Sequence, residues 1–192
     1  MSKKNSSRSF FYCVKMLRKK NVIAYPTESM FGLGCDPNSK TAVIKLLTLK
    51  KRKIEKGLIL VASEFNQVKM YVNENYLSKQ QKRQMFSFWP GPFTFLLPAS
   101  KDAPLWLTGK FNTVAVRISA HLSIIKLCNI FGQSLISTSA NLTNMPPSIT
   151  RTQVFKYFGK DFPLLHGKIG REKNPSKIIN ISNGKFMRYV QR

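Results

Sequence analysis

Hydroxyl and acidic side chains follow the first apolar stretch of the chain and precede two closely spaced glycines. Residues 22–25 predict a short strand, which Pro26-Thr27-Glu28 ends. Gly32 and Gly34 come next, and glycines let backbone N–H groups approach an anionic ligand closely. The same residues also fit an ordinary strand-to-helix turn, so this segment alone leaves both interpretations open.

A basic cluster lies farther along the chain, where a predicted helix ends. Residues 50–53 are Lys-Lys-Arg-Lys, and Lys56 follows closely. Lys50 and Arg52 could grip a triphosphate, because ammonium and guanidinium groups both bind phosphate oxygens strongly. The helix dipole also favours cations at a helix C-terminus without any ligand, so this second explanation stays open.

Two further predicted strands carry polar groups of the kind that bind ligands. Residues 137–141 are Ser-Thr-Ser-Ala-Asn and follow an apolar pair, and ligands of α/β sheets collect at strand carboxyl ends. A turn held by local side-chain hydrogen bonds is the alternative there. Arg117 lies within the apolar strand 113–118, where an unpaired buried charge would be costly. Because acidic residues are few, we expect a ligand carboxylate or phosphate as its partner, unless the strand is a solvated edge.

The composition excludes several kinds of chemistry. The 32 Lys and Arg against 8 Asp and Glu give a formal net charge of +24, which attracts nucleic acid, although compositional drift explains it as well. The acidic residues are scattered, so we expect neither a catalytic carboxylate pair nor a protein-bound metal. Three isolated cysteines exclude a disulfide framework and a zinc site and fit a reducing cytoplasm. No apolar run is long enough to span a membrane. His121 and His166 are isolated and fit structural or surface positions better than a general base.

Helical and strand-like patterns alternate along the chain, which predicts an α/β protein. We expect a loop over 27–38, a rigid Trp-Pro-Gly-Pro corner at 89–92, and short antiparallel strands over 162–190 with a hairpin turn at Asn183-Gly184. The chain shows no linker, so we expect one domain over 1–192, with a core over about 10–190 and a twisted mixed parallel and antiparallel sheet flanked by helices. The remaining elements predicted are strands over 22–25, 58–61, 93–97, 113–118 and 134–139, and helices over 10–20, 40–50, 64–72, 77–87, 121–131 and 151–158, with Ser39 and Thr150 as N-caps.

In chain order, five segments resemble the motifs of one family. The sequence 26–34, Pro-Thr-Glu-Ser-Met-Phe-Gly-Leu-Gly, is similar to its P-T-E-T-x-Y-G-L-G pattern. The others are similar to K-x-R (50–52), W-P-G-P-x-T (89–94), V-A-V-R-x-x-x-H (114–121) and S-x-S-A-N (137–141). The chain therefore resembles the YrdC/YciO family, and within it the short YrdC or TsaC type of threonylcarbamoyl-AMP synthase.

That resemblance implies a YrdC-like fold and an ATP-dependent enzyme. L-threonine, bicarbonate or CO2, and ATP with Mg2+ would give threonylcarbamoyl-AMP and pyrophosphate. This is the first step of N6-threonylcarbamoyladenosine formation in tRNAs that read codons starting with A, and a separate tRNA threonylcarbamoyl transferase complex completes the modification. By resemblance, the L-threonine contacts are Thr27, Arg117 and Ser137, the ATP contacts are Lys50, Arg52, Lys56, Thr113 and Ser139, and Asn141 supports the loop.

The sequence departs from the family pattern at a few positions. Val61 stands where a histidine is common, which puts one threonine contact in doubt, and Lys53 stands where proline is usual. Ser29 and Phe31 replace a threonine and a tyrosine, and Ala120 replaces an aspartate or asparagine. Two other hypotheses stay open: a non-catalytic protein of the same fold that binds double-stranded RNA or tRNA, and a YciO-branch relative with a different acyl substrate.

Overall fold

The computed structural model describes residues 3–187. Seven strands and six α-helices form in this part of the chain. The strands are β1 (Ile23–Pro26), β2 (Phe31–Cys35), β3 (Ile59–Ala62), β4 (Phe93–Pro98), β5 (Thr113–Ile118), β6 (Leu135–Ser139) and β7 (Lys177–Asn180). The helices are α1 (Lys3–Arg18), α2 (Lys40–Lys50), α3 (Lys79–Phe88), α4 (Leu105–Thr108), α5 (Leu122–Phe131) and α6 (Arg151–Phe158). No described helix is long and apolar enough to cross a membrane.

All seven strands belong to one sheet, in the order β1-β2-β6-β3-β5-β4-β7. The pairs β3/β5 and β4/β7 are parallel, and the other four neighbouring pairs are antiparallel. The predicted mixed sheet flanked by helices is therefore confirmed. The limits expected for the domain extend past the described residues at both ends.

The two faces of the sheet are covered differently. One face carries residues such as Leu60 and Val116 into the main core, which also takes in residues of α2 and α3. On the other face, Val61 packs in a second core with residues of α1 and α5. Because β3 and β5 are in parallel register, Arg117 lies beside Val61 and points to that second face.

The N-caps expected from the sequence form as predicted. The Ser39 side chain accepts a hydrogen bond from the Ala42 amide at the start of α2, and Thr150 with Gln153 makes a capping box on α6. A side-chain cap satisfies backbone N–H groups that have no partner within the helix. These local signals therefore fix where α2 and α6 begin.

The prediction of a loop over 27–38 is wrong, because Phe31–Cys35 forms β2 and pairs with β1 as a hairpin. The glycines of this strand make room for an aromatic ring. A Cβ atom on Gly34 would lie 2.7 Å from Cε1 of Tyr25 and 2.7 Å from the carbonyl oxygen of Ile136. Gly34 therefore allows the Tyr25 ring to lie flat across β2, and its role is packing within the sheet.

Two other expectations need correction. The predicted helix over 64–72 is instead a pair of 3₁₀ turns, Phe65–Gln67 and Lys69–Tyr71. Phe65, Val68 and Tyr71 are spaced by three residues, so in a 3₁₀ geometry they lie on one side and pack against the main core. The C-terminal strand β7 runs parallel to β4 and not antiparallel to it. The hairpin turn at Asn183-Gly184 is confirmed, since Gly184 has a φ of +68° and the Met187 amide donates to the Ile178 carbonyl. The end of the predicted tail, residues 188–190, lies outside the described residues.

Candidate active site

A cavity of about 420 Å³ opens on the second face of the sheet, where α1 and α5 do not cover it. This volume lies in the range of small-molecule sites. Seven of the nine residues predicted for the site line it: Thr27, Arg52, Lys56, Thr113, Arg117, Ser137 and Ser139. The structure thus brings the guanidinium groups of Arg52 and Arg117 to one shared cavity, although they come from different parts of the chain.

The wall of the cavity is cationic. Arg52, Lys56 and Arg117 line it, and none of the described residues that line it is acidic. The Arg52 Nη2 atom donates to the carbonyl oxygen of Gly57 at 2.8 Å, which anchors the guanidinium beside the 3₁₀ turn Ile54–Lys56. Gly57 has a φ of +61°, and a Cβ atom there would lie 2.8 Å from the Leu107 carbonyl oxygen, so this approach requires glycine. A cavity of this charge suits a polyanion.

Arg117 has a protein partner, which corrects the expectation that its partner is a ligand. Its Nη2 atom lies 3.2 Å from Oε2 of Glu28, and both side chains are almost buried. The hydroxyl of Ser119 donates to the other oxygen of Glu28 at 2.6 Å. The buried Nε atom of Arg117 has no hydrogen-bond partner within residues 3–187. Because a guanidinium has five N–H donors, Glu28 can fix Arg117 and still leave donors for a ligand.

Thr27 and Ser137 present different hydrogen-bonding groups to the cavity. The Thr27 hydroxyl donates to the Met30 carbonyl oxygen at 2.7 Å, so its oxygen remains as an acceptor. The Ser137 hydroxyl oxygen accepts a hydrogen bond from the Tyr25 hydroxyl at 2.8 Å, so the Ser137 hydroxyl can still donate its own proton in a second hydrogen bond. Burial raises the pKa of Tyr25 well above its ordinary value, which keeps this phenol protonated. The cavity therefore combines one oriented acceptor with one oriented donor.

Lys50 and Asn141 are not among the residues that line the cavity. The Lys50 ammonium donates to the carbonyl oxygens of Ser139 and Asn141 and to Oδ1 of Asn141. Burial, with a smaller contribution from the charge of Arg52, lowers the pKa of Lys50 to about 8. The structure thus joins these two residues to each other behind Ser139.

Neither histidine lies in the wall of the cavity. His121 is the N-cap of α5, where Nδ1 accepts from the Ser123 amide, and its Nε2 atom lies 3.2 Å from the Lys168 carbonyl oxygen. Burial lowers the pKa of His121, so the imidazole is neutral near pH 7. His166 contacts Arg151 through Nε2 at 3.3 Å. Both histidines therefore occupy structural positions.

Several residues of the site were missed by the sequence analysis. Tyr25, Glu28 and Ser119 orient Ser137 and Arg117, and the position of Glu28 directly after Thr27 was the available signal. Residues of the C-terminal segment, including Asn180, also line the cavity. No local pattern marks them, because β7 reaches this face only by pairing with β4. Val61 is fully buried in the second core and does not line the cavity.

Metal-ligating side chains are scarce among the described residues. Among them, no group of three or more His, Cys, Asp and Glu side chains could hold a metal, and no carboxylate lines the cavity. Mg2+ usually keeps several waters and is held by substrate phosphates with one or two carboxylates. Phosphates and water would therefore have to supply its ligands here.

The chain belongs to the Sua5/YciO/YrdC family, whose model, described as "Telomere recombination", matches residues 15–189. Over 91% of its length, the chain is 74% identical to a protein named threonylcarbamoyl-AMP synthase from Buchnera aphidicola subsp. Acyrthosiphon pisum (strain APS), and the match covers all of that protein. It is 48% identical over 95% of its length to 96% of a Klebsiella pneumoniae protein of the same name.

Solved structures share the fold. P. abyssi Sua5 complexed with L-threonine superimposes with a TM-score of 0.82 at 27% identity, covering 93% of this chain and 52% of that chain. This chain therefore spans about half the length of that Sua5 protein. E. coli YciO superimposes with a TM-score of 0.78 over 96% of this chain and 92% of that chain, at 22% identity, which supports the fold alone.

Proposed function

We propose that the protein is a threonylcarbamoyl-AMP synthase. The amine of L-threonine forms a carbamate, either with bicarbonate, which loses water, or with CO2, in which case the amine loses a proton. A carbamate oxygen then attacks the α-phosphorus of ATP, the bond to the β-phosphate oxygen breaks, and pyrophosphate leaves. Such a reaction depends on positioning and charge neutralisation, so it needs no enzyme nucleophile. The observation that carries the proposal is the single cationic cavity that contains Arg52, Lys56 and Arg117 together with Thr27 and Ser137.

The hydrogen-bonding groups of Thr27, Arg117 and Ser137 in the cavity wall suit an amino acid. Arg117 and the donor proton of Ser137 would bind the carboxylate of L-threonine. The acceptor oxygen of Thr27 would take a hydrogen bond from the amine or the hydroxyl of the substrate. Glu28 would hold the Arg117 guanidinium in place while the guanidinium donors that Glu28 does not take bind the ligand. These assignments follow from which donors and acceptors the protein leaves unused.

The basic groups of Arg52 and Lys56 in the cavity wall suit the nucleotide. Arg52 and Lys56 would neutralise the phosphates and the departing pyrophosphate, while the hydroxyls of Thr113 and Ser139 would contact ATP. Mg2+ would enter bound to the ATP phosphates, where it neutralises part of their charge. Relatives at 48% and 74% identity share the name threonylcarbamoyl-AMP synthase, which supports L-threonine and ATP as the substrates. Identity to E. coli YciO is only 22%, so the different acyl substrate of a YciO-branch relative is less well supported.

The product points to a place in tRNA modification. We propose that it supplies threonylcarbamoyl groups to a separate tRNA threonylcarbamoyl transferase complex, and that exposed lysines and arginines, which give the chain its formal net charge of +24, meet tRNA. The cytoplasm would provide ATP and tRNA, and it would keep the three free buried cysteines reduced.

The direct test measures pyrophosphate release by the purified protein with ATP, Mg2+, bicarbonate and L-threonine. We expect release that requires threonine, with serine a poorer substrate. Arg52→Ala should lower kcat/KM for ATP by about 100-fold or more, since a charged hydrogen bond to phosphate is lost. Lys53→Ala is the matched control, because Lys53 is an exposed cation of the same basic run that does not line the cavity.

The competing hypothesis of a non-catalytic RNA-binding protein predicts a different result. It requires tight tRNA binding with a steep salt dependence, and no pyrophosphate release at any threonine concentration. That outcome would overturn the proposed synthase. Equal activity in Arg52→Ala and Lys53→Ala would instead reject the role given to Arg52.

A further inference from the structure

Lys50 is a buried lysine whose ammonium group is fully occupied by the protein. It ends α2 and is 7% exposed. Its Nζ atom donates to the Ser139 carbonyl oxygen at 2.8 Å, to the Asn141 carbonyl oxygen at 2.7 Å and to Asn141 Oδ1 at 2.6 Å. A lysine ammonium has three N–H donors, so these three acceptors use all of them.

The turn that follows β6 is tied to the same point by further hydrogen bonds. The Ser139 hydroxyl donates to Oδ1 of Asn141 at 2.7 Å, and Nδ2 of the Asn141 side chain donates to the Met145 carbonyl oxygen at 2.6 Å. The Thr143 hydroxyl donates to the backbone carbonyl of Lys50. The end of α2 and the turn after β6 therefore hold each other, and Ser139 lies between them and the cavity.

We propose that Lys50 is a positioning residue that fixes the Ser139–Asn141 turn against the cavity and does not itself bind nucleotide phosphate. The inference deepens the proposed function, on which it rests, because it concerns the Ser139 contact with ATP. To reach a phosphate, Lys50 would have to give up these bonds. The Ser139 hydroxyl would still donate to Asn141 Oδ1, and the Asn141 backbone amide to the Ser139 carbonyl oxygen, but the Asn141 carbonyl oxygen would lose its ammonium donor. Arg52, two residues farther on, already lines the cavity and can serve the phosphates.

The titration of Lys50 gives this role a signature in the pH profile. The pKa of Lys50 is lowered to about 8, and Arg52 is the charged group that acts on it among the described residues. Above this pH the neutral amine has only two N–H donors for three acceptors. ATP affinity should therefore fall as the pH rises through about 8.

A double-mutant cycle on ATP binding separates positioning from direct contact. Dissociation constants for ATP are measured by calorimetry for Lys50→Met, Asn141→Ala and the double variant, with Lys40→Met as an exposed control on the same helix. If Lys50 acts through the turn, each single variant weakens ATP binding about tenfold, and the double variant is no weaker than the worse single one. If Lys50 binds phosphate directly, the two losses multiply, and the inference is overturned.

A second variant tests the inference without removing the lysine. Asn141→Asp places a carboxylate against Nζ, which favours the ammonium, so the fall in ATP affinity should move from about pH 8 to higher pH. Near pH 7, a positioning lysine keeps ATP affinity close to that of wild type, whereas a lysine that binds phosphate would be drawn to the new carboxylate, and the strong loss of ATP binding would overturn the inference. This variant also serves if Lys50→Met fails to fold.

Amide hydrogen exchange distinguishes failure of this inference from failure of the proposed function. Amide hydrogen exchange of residues 140–148 is measured without ligand in wild type and in the Lys50 and Lys40 variants. Faster exchange that is confined to Lys50→Met supports positioning, and unchanged exchange overturns it. Wild-type protein that binds no ATP at all would overturn the proposed function, whatever the exchange shows.

Discussion

Removal of one oxygen atom from Tyr25 tests whether the orientation of Ser137 matters for the proposed binding of L-threonine. The Tyr25 hydroxyl is fully buried and donates to Ser137 at 2.8 Å, and Ser137 lines the cavity. Tyr25→Phe keeps the ring that packs across Gly34 and removes only this hydrogen bond. The Ser137 hydroxyl then loses the donor that directs its own proton towards the ligand.

The size of the effect follows from the chemistry of the bond. A neutral hydrogen bond contributes about 1 kcal/mol net, and Ser137 remains partly exposed to water, so the loss of stability should be about that size. A loss of about 1 kcal/mol in L-threonine binding corresponds to a roughly fivefold rise in the dissociation constant. ATP binding should stay within about twofold, because Tyr25 contacts no group assigned to ATP.

Tyr71→Phe is the matched control. Tyr71 is also buried, and its hydroxyl donates to Asn38 Oδ1 at 2.6 Å, but it does not line the cavity. Calorimetric titration with L-threonine and with ATP, and thermal melting, are performed on both variants. Similar losses of stability with a threonine effect only in Tyr25→Phe support the reasoning. Equal threonine affinities in the two variants would refute it.

Other predictions follow from the same geometry. Glu28→Gln leaves Arg117 nearly buried without its counter-charge and should lower the free energy of unfolding by about 3 kcal/mol, as measured by urea denaturation; a loss under 1 kcal/mol would contradict the ion pair as described. Gly34→Ala should cost about 2 kcal/mol or more by the same measurement, because the added Cβ meets the Tyr25 ring and the Ile136 carbonyl oxygen. The lowered pKa of Lys50 means that the unfolded chain holds this proton more tightly than the folded protein. The free energy of unfolding of wild type should therefore rise with pH between about 8 and the ordinary value of 10.5, relative to Lys50→Met, and parallel pH profiles would contradict this.

The fold could be predicted in large part because its signals are local. Ser39 and Thr150 cap the helices that they were expected to cap, and β5 spans the predicted Thr113–Ile118. The error at β2 has a specific cause, since glycine-rich segments resemble loops when the ring that needs their space is not known. The direction of β7 was likewise beyond local inference, because strand pairing depends on the order of the whole sheet.

For the candidate site, the sequence alone determined which residue types are present and that several follow strand ends. Their partners were decided by the tertiary structure. Sheet pairing brings together residues that are far apart in the chain. Arg117 meets Glu28, and Lys50 meets Asn141, from which it is separated by 91 positions. Free donors and acceptors are what bind a ligand, and a side chain's free groups depend on the neighbours that occupy the rest. The sequence could therefore nominate Lys50 for ATP, whereas the structure gives its three donors to the protein itself.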